Sequence, residues 1–187
     1  MSRSVLLVLD VQSLIVERYT DQDYLHRLGQ AVGAARQAGI PVWYAQVAFR
    51  PGFPEIHPRN KMFGQLAAAA QRGPMPPNEI HAAIAPQPED VVVTKKRVSA
   101  FAGSDLQTLL RAGEFDHVIL TGISTSGVVL STVREAADLD YRITVLADAC
   151  ADLDPEVHRV LLEKVFPAQA EVLSVADWAG SAIHELV

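Results

Sequence analysis

Two charged side chains stand where apolar runs stop. Asp10 ends the run Val5–Leu9, and Lys95 follows Val91–Thr94. Burying either without a partner costs several kcal/mol. A carboxylate and an ammonium brought together in a partly dry cleft favour the charged form of each. The pKa of such a carboxyl is open to tuning for proton transfer. Plainer roles fit each residue alone: Asp10 as the cap of the following turn, Lys95 as a solvated strand end. Lys95 and Lys96 are adjacent on an extended segment, so they face opposite ways and only one enters a given cleft. Ser99-Ala100-Phe101 follows directly, an apolar segment expected to pack down and fix the preceding backbone.

The stretch Gly122-Ile123-Ser124-Thr125-Ser126-Gly127 joins an apolar run to a helical pattern. Glycines and hydroxyls at a helix start present backbone N–H groups to an anion or a polarised carbonyl, or serve simply as N-caps. Neither G-x-G-x-x-G nor a Gly-Lys-Ser/Thr triplet occurs, so the dinucleotide and phosphate-loop fingerprints are absent. On the ligand side the candidates are Gln12, Gln46, Arg97, Ile123, Ser124, Thr125, Gly127 and Val128. The six histidines are scattered without ligand spacing, so no metal is expected, and no cofactor. The one cysteine, Cys150, lies between Asp148 and Asp152 with no histidine placed to lower its pKa. It reads as a buried structural thiol.

The elements that must position these residues alternate in kind. Short β-branched runs (Val5–Leu9, Val42–Val47, Val91–Thr94, Val118–Thr121, Ile143–Leu146, Ala170–Leu173) are separated by helical patterns. The helices are expected over Tyr24–Ala38, Lys61–Gln71, Ser104–Ala112, Ser126–Leu139, from Asp154-Pro155, and at the end of the chain. Strand–helix alternation predicts an α/β fold of three layers, a doubly wound sheet of six parallel strands with helices on both faces. Ligands of such sheets bind beyond the carboxyl ends of the strands, near the point where strand order reverses. The Pro- and Gly-rich stretch 48–60 reads as a long loop of the kind that serves as a binding or lid element.

At 187 residues with a net charge of -6, one domain over 1–187 is expected, with no nucleic-acid partner. No apolar run is long enough for a membrane span or a signal segment. With a lone cysteine, the expected compartment is the cytoplasm.

Taken together, VLLVLDVQ (5–12), KKRVSAF (95–101) and the segment from Gly122 to Asp152 resemble the isochorismatase-like hydrolases. The likeness runs from about Val5 to Trp178. It implies a Rossmann-like strand order, a small-molecule substrate, and assembly as a homodimer or homotetramer. The cysteine hydrolases of that family use an Asp, a Lys and a Cys, and the resemblance maps the first two onto Asp10 and Lys95. Their nucleophile lies six residues after the glycine matched by Gly122, and this chain has Val128 there. Valine offers no nucleophile, so thiol chemistry is excluded at that position. The nicotinamidases of the family hold a metal with Asp and His after the second strand; Phe49–Asn60 has His57 alone. Isochorismatases cleave a vinyl ether without the thiol, their Asp protonating the enol-ether carbon. Where they carry a histidine this chain has Ser126, and Ser124 lacks their aromatic bulk. His158 reads as structural. The resemblance thus implies acid–base chemistry by Asp10 and Lys95 on a small anionic molecule. The alternative is a catalytically silent relative that binds a small molecule or a protein.

Overall fold

The computed structural model describes residues 3–19, 23–73 and 77–184, with side chains described through 181. Six parallel strands form one sheet: β1 (Ser4–Leu9), β2 (Val42–Val47), β3 (Val91–Lys95), β4 (His117–Ile123), β5 (Arg142–Ala151) and β6 (Glu171–Leu173). Their order is β3-β2-β1-β4-β5-β6. The chain winds outward from β1 in one direction through β2 and β3, then returns to place β4 on its other side. The reversal therefore falls between β1 and β4, the crevice where ligands of such sheets sit.

Period-two alternation sorts the strand residues between two cores. Val5, Leu7 and Leu9 of β1 face one layer with Val118 and Leu120 of β4, packed by α4 (Leu106–Ala112) and α5 (Leu130–Asp138). Leu6 and Val8 face the other with Ile119, packed by α2 (Tyr24–Gln37) and α7 (Val175–His184). Burial on both faces explains why β1 and β4 read as continuous apolar runs rather than alternating ones. The result is a three-layer α/β/α sandwich.

Three elements depart from the sequence expectation. The helix expected from Ser126 begins as a wide π turn over Thr125–Val129 before α5 proper. Strand β5 runs on to Ala151, past a register irregularity opposite Leu120 and Gly122. Its second half, Ala147 to Ala151, has little β-branched character, and its conformation comes from pairing with β4 rather than from propensity. A short helix α1 (Ser13–Val16), unmarked in the sequence, follows β1 directly.

Candidate active site

Asp10 is the first residue beyond β1 and takes a left-handed conformation, φ 55°. Aspartate tolerates that region better than most residues. Its backbone N–H still donates to Ala45 O at 2.8 Å, which carries the β1–β2 ladder one step further. Lys95 ends β3, two strands away across β2, roughly 10 Å at ordinary strand spacing. The long lysine stem spans most of that gap. Lys95 Nζ meets Asp10 Oδ2 at 2.8 Å, and the lysine side chain is only 1% exposed. The ammonium also donates to the carbonyls of Arg97 (2.8 Å) and Val98 (3.1 Å). Its three protons are thereby all engaged.

Asp10 is not so well satisfied. Its second oxygen, Oδ1, is buried and has no hydrogen-bond partner among the described residues. Burial pushes the Asp10 carboxyl up to about 6, against the charge and hydrogen bond of Lys95, which pull it down. The lysine therefore does not hold Asp10 fully ionised.

The turn after β4 lies against this pair. Leu9 is in register with Gly122, and Gly122 has φ 138°. A Cβ there would stand 2.2 Å from Leu9 O, so only glycine lets the strands approach at this point. The next peptide, Ile123–Ser124, is cis. Two contacts from beyond β5 pin the turn. Thr125 Oγ1 and His158 Nδ1 are 2.8 Å apart, and the Ser126 N–H donates to Asp152 Oδ2 at 2.6 Å. A Cβ at Gly127 would come within 2.6 Å of Ser124 Oγ and would turn that hydroxyl aside. Val128 is 2% exposed and packs in the same core as Val129 and Val133. Thr132 of α5 accepts from the Ala100 N–H at 3.0 Å, tying this helix to the segment that holds Lys95.

The remaining ligand-side candidates divide by what they touch. The Gln12 amide is buried: its oxygen accepts from the Val47 N–H, and its nitrogen donates to the carbonyls of Val47 and Asn78. It clamps the end of β2 to the 78–80 segment, so its hydrogen-bonding groups do not face a ligand. The Arg97 guanidinium likewise donates to the carbonyls of Lys96 and Glu55, fastening the loop after β2. As an anion anchor it is already engaged. The Ser126 N–H is capped by Asp152. Gln46 Nε2 donates to Thr94 Oγ1 at 3.3 Å, within the sheet edge. Lys96 turns the other way from Lys95 and donates to Ala48 O.

Residues without a sequence signal also enter the neighbourhood. Tyr19, just after α1, is raised in pKa by burial and by the charge of Asp152, while a hydrogen bond with Ser124 lowers it. Phe49, Phe53 and Phe63 form an aromatic cluster under the long loop. They stand four and then ten residues apart, which follows no strand or helix period, so the sequence marks only the loop itself. Cys150 is buried and its thiol is pushed up to about 12, first by burial, with Asp148 adding to it. Among the described residues no group of three or more His, Cys, Asp or Glu could hold a metal ion. No helix among them is long and apolar enough to cross a membrane.

An isochorismatase domain model matches residues 4–177. The chain belongs to the isochorismatase family. A ureidoacrylate amidohydrolase, RutB, of Stutzerimonas stutzeri strain A1501 is 32% identical over 96% of this chain and 78% of its own length. The isochorismatase family protein YecD of Escherichia coli O157:H7 is 28% identical, with 93% of each chain covered. Among solved structures, a cysteine hydrolase from Pseudomonas syringae pv. phaseolicola 1448A superposes with a TM-score of 0.86 at 26% identity, covering 97% of this chain and 93% of that one. This isochorismatase-family chain thus shares its fold with a protein described as a cysteine hydrolase, while its own cysteine lies on β5.

Proposed function

We propose that this isochorismatase-family chain hydrolyses a small, anionic molecule by acid–base chemistry at Asp10, with Lys95 as its charge partner and no thiol nucleophile. The observation that carries this reading is the buried, unpartnered Oδ1 of a carboxyl whose pKa stands at about 6. A carboxyl poised there serves as acid or base near neutral pH. A substrate carboxylate bound close to Asp10 raises that pKa further, because like charges disfavour ionisation. Binding of an anion thereby favours the acid form.

In the forward step Asp10 gives its proton to the substrate atom that must become a leaving or saturated centre, such as an enol-ether carbon. The carboxylate left behind is compensated by Lys95. Water then adds to the electron-poor carbon and its proton returns to Asp10; the hemiketal so formed breaks its C–O bond, the alkoxy group leaving as the alcohol with the hydroxyl proton and a carbonyl remaining. Lys95, with its three protons engaged, acts by holding and neutralising Asp10 rather than by gripping substrate. Val128, taken as the counterpart of the family's nucleophile, contributes only an aliphatic wall.

Asp10→Asn is expected to abolish turnover of any substrate found in a panel of vinyl ethers, amides and esters, with circular dichroism preserved and the melting temperature lowered, because the buried Lys95 ammonium loses its charge partner. Retained turnover would overturn the assignment. A second reading, a binding protein without catalysis, is favoured by one observation, the aliphatic Val128. It requires that the panel give no turnover above background while a ligand still raises the melting temperature. Assembly as a homodimer or homotetramer is part of the proposal, and sedimentation measures it.

A further inference from the structure

At the opposite pole of the sheet, around the amino ends of β1, β4 and β5, lies a cavity of about 510 Å³. That volume is within the range of small-molecule sites. Ile40, Leu173 and Trp178 supply apolar wall, and the floor is polar. His117, 7% exposed, sits at its centre. Ser4 Oγ and Arg142 NH2 each approach His117 Nδ1 at 2.8 Å, and Thr144 Oγ1 lies 2.9 Å from Nε2.

These contacts can be sorted by what each group is able to do. A guanidinium only donates. Arg142 therefore makes Nδ1 the accepting nitrogen and leaves the ring proton on Nε2, facing Thr144. Ser4 must then also donate to Nδ1, which has a single lone pair for two donors. Burial and the Arg142 charge hold the imidazole neutral, with its pKa down at about 4. The ring thus supplies no further acceptor. A second guanidinium, Arg3, stands at the wall over the Phe115 ring, 4.8 Å from its centroid. Glu171 is the one carboxylate on the lining among the described residues. Among the described residues the lining thus carries two guanidiniums, Arg3 and Arg142, against one carboxylate.

We propose that this cavity is a second ligand site that takes a small carboxylate with an apolar, ring-sized body. The planar guanidinium fork of Arg142 matches a carboxylate geometrically. The Ser4 hydroxyl gains an acceptor it now shares, and the apolar walls take the ring. The site is independent of the acid–base reading, because it lies at the other end of every strand that carries that chemistry.

The test is calorimetric titration of the full chain with benzoate and with neutral benzamide. Saturable benzoate binding in the millimolar range or tighter is expected, with benzamide weaker by about tenfold or more, as loss of a charge-assisted bond implies. Arg142→Gln should weaken benzoate by about the same factor, and Glu171→Gln should strengthen it, since a like charge is removed. Arg142 is exposed, so its loss leaves the fold intact. Asp10→Asn should leave the Arg142-dependent binding unchanged. The proposal is overturned by absence of saturable binding, by equal affinity for benzamide, or by affinity that Arg142→Gln does not alter.

Discussion

The two ends of the sheet solve the same problem with opposite signs. Each buries an ionisable side chain, and burial drives each toward its neutral form. At the carboxyl end that means Asp10 holds its proton up to about 6. At the amino end it means His117 refuses one until about 4. What each end lacks also differs. Asp10 has an oxygen with no donor, whereas the His117 cluster has two donors for one lone pair. A buried polar atom left without a partner is costly, and Asp10 Oδ1 is one of five such side-chain atoms among the described residues. On the two proposals, the carboxyl end exchanges a proton with its guest, whereas the amino end only binds one.

The largest effect should come from breaking the carboxyl-end pair. Lys95→Met strips the charge partner from a buried carboxylate and frees two buried carbonyls. Loss of one partner of a buried ion pair costs about 3–5 kcal/mol. Denaturant titration at pH 8 should show that loss, and at pH 5 it should shrink as Asp10 takes up its proton. A deficit independent of pH would mean that lysine packing, not charge, is what matters there. Close behind is Gly122→Ala, which drives a Cβ into Leu9 O and would part β1 from β4 at the switch point. About 3 kcal/mol is expected from overpacking against backbone, measured by the same titration.

The contrast in sign has its own consequence for pH. An acid whose folded pKa is raised contributes stability that is present below its unfolded value and lost as pH rises through the folded one. For Asp10 that window runs from 3.8 to about 6. A base whose folded pKa is lowered contributes stability present above its unfolded value and lost as pH falls. For His117 that window runs from 6.5 down to about 4. At roughly 1.4 kcal/mol per pH unit, each amounts to about 3 kcal/mol. Over most of the same interval the two slopes oppose each other, so their sum is nearly flat. Removing either should expose the other: Asp10→Asn stability should rise with pH between 4 and 6 relative to the parent, and His117→Asn stability should fall. Parallel curves for parent and variants would dissolve the comparison.

Much of the architecture was legible because it rests on local pattern. Val42–Val47 needs no tertiary information to read as a strand, and Tyr24 onward shows its buried stripe directly. The pairing of Asp10 with Lys95 was legible as position, since both stand where buried runs end at the ligand-binding pole. The electrostatics were not. From type alone Lys95 should lower the Asp10 pKa, and only the near-complete burial of the pair reverses that balance. Gln12 and Arg97 looked like ligand groups for the same reason: Gln12 bonds the backbone of Val47 and Asn78, and Arg97 the carbonyls of Glu55 and its own neighbour Lys96, which no spacing reveals. The π turn over Thr125–Val129 is equally tertiary, fixed by Asp152 and His158 reaching across from beyond β5.

The smallest effect expected is at Cys150, and its smallness is informative. It shares the carboxyl half of the sheet with Asp10, directly across from Gly122 in the β4–β5 pairing. Yet its thiol, pushed up to about 12, is almost wholly protonated at neutral pH. A thiolate is the reactive species, so a colorimetric disulfide reagent should label the folded chain far more slowly than the denatured one. Cys150→Ala should leave any turnover unchanged. Rapid labelling of the folded chain, or loss of turnover in that variant, would bring a sulfur nucleophile back to the carboxyl end. The acid–base contrast between the two poles would then no longer describe how this chain works.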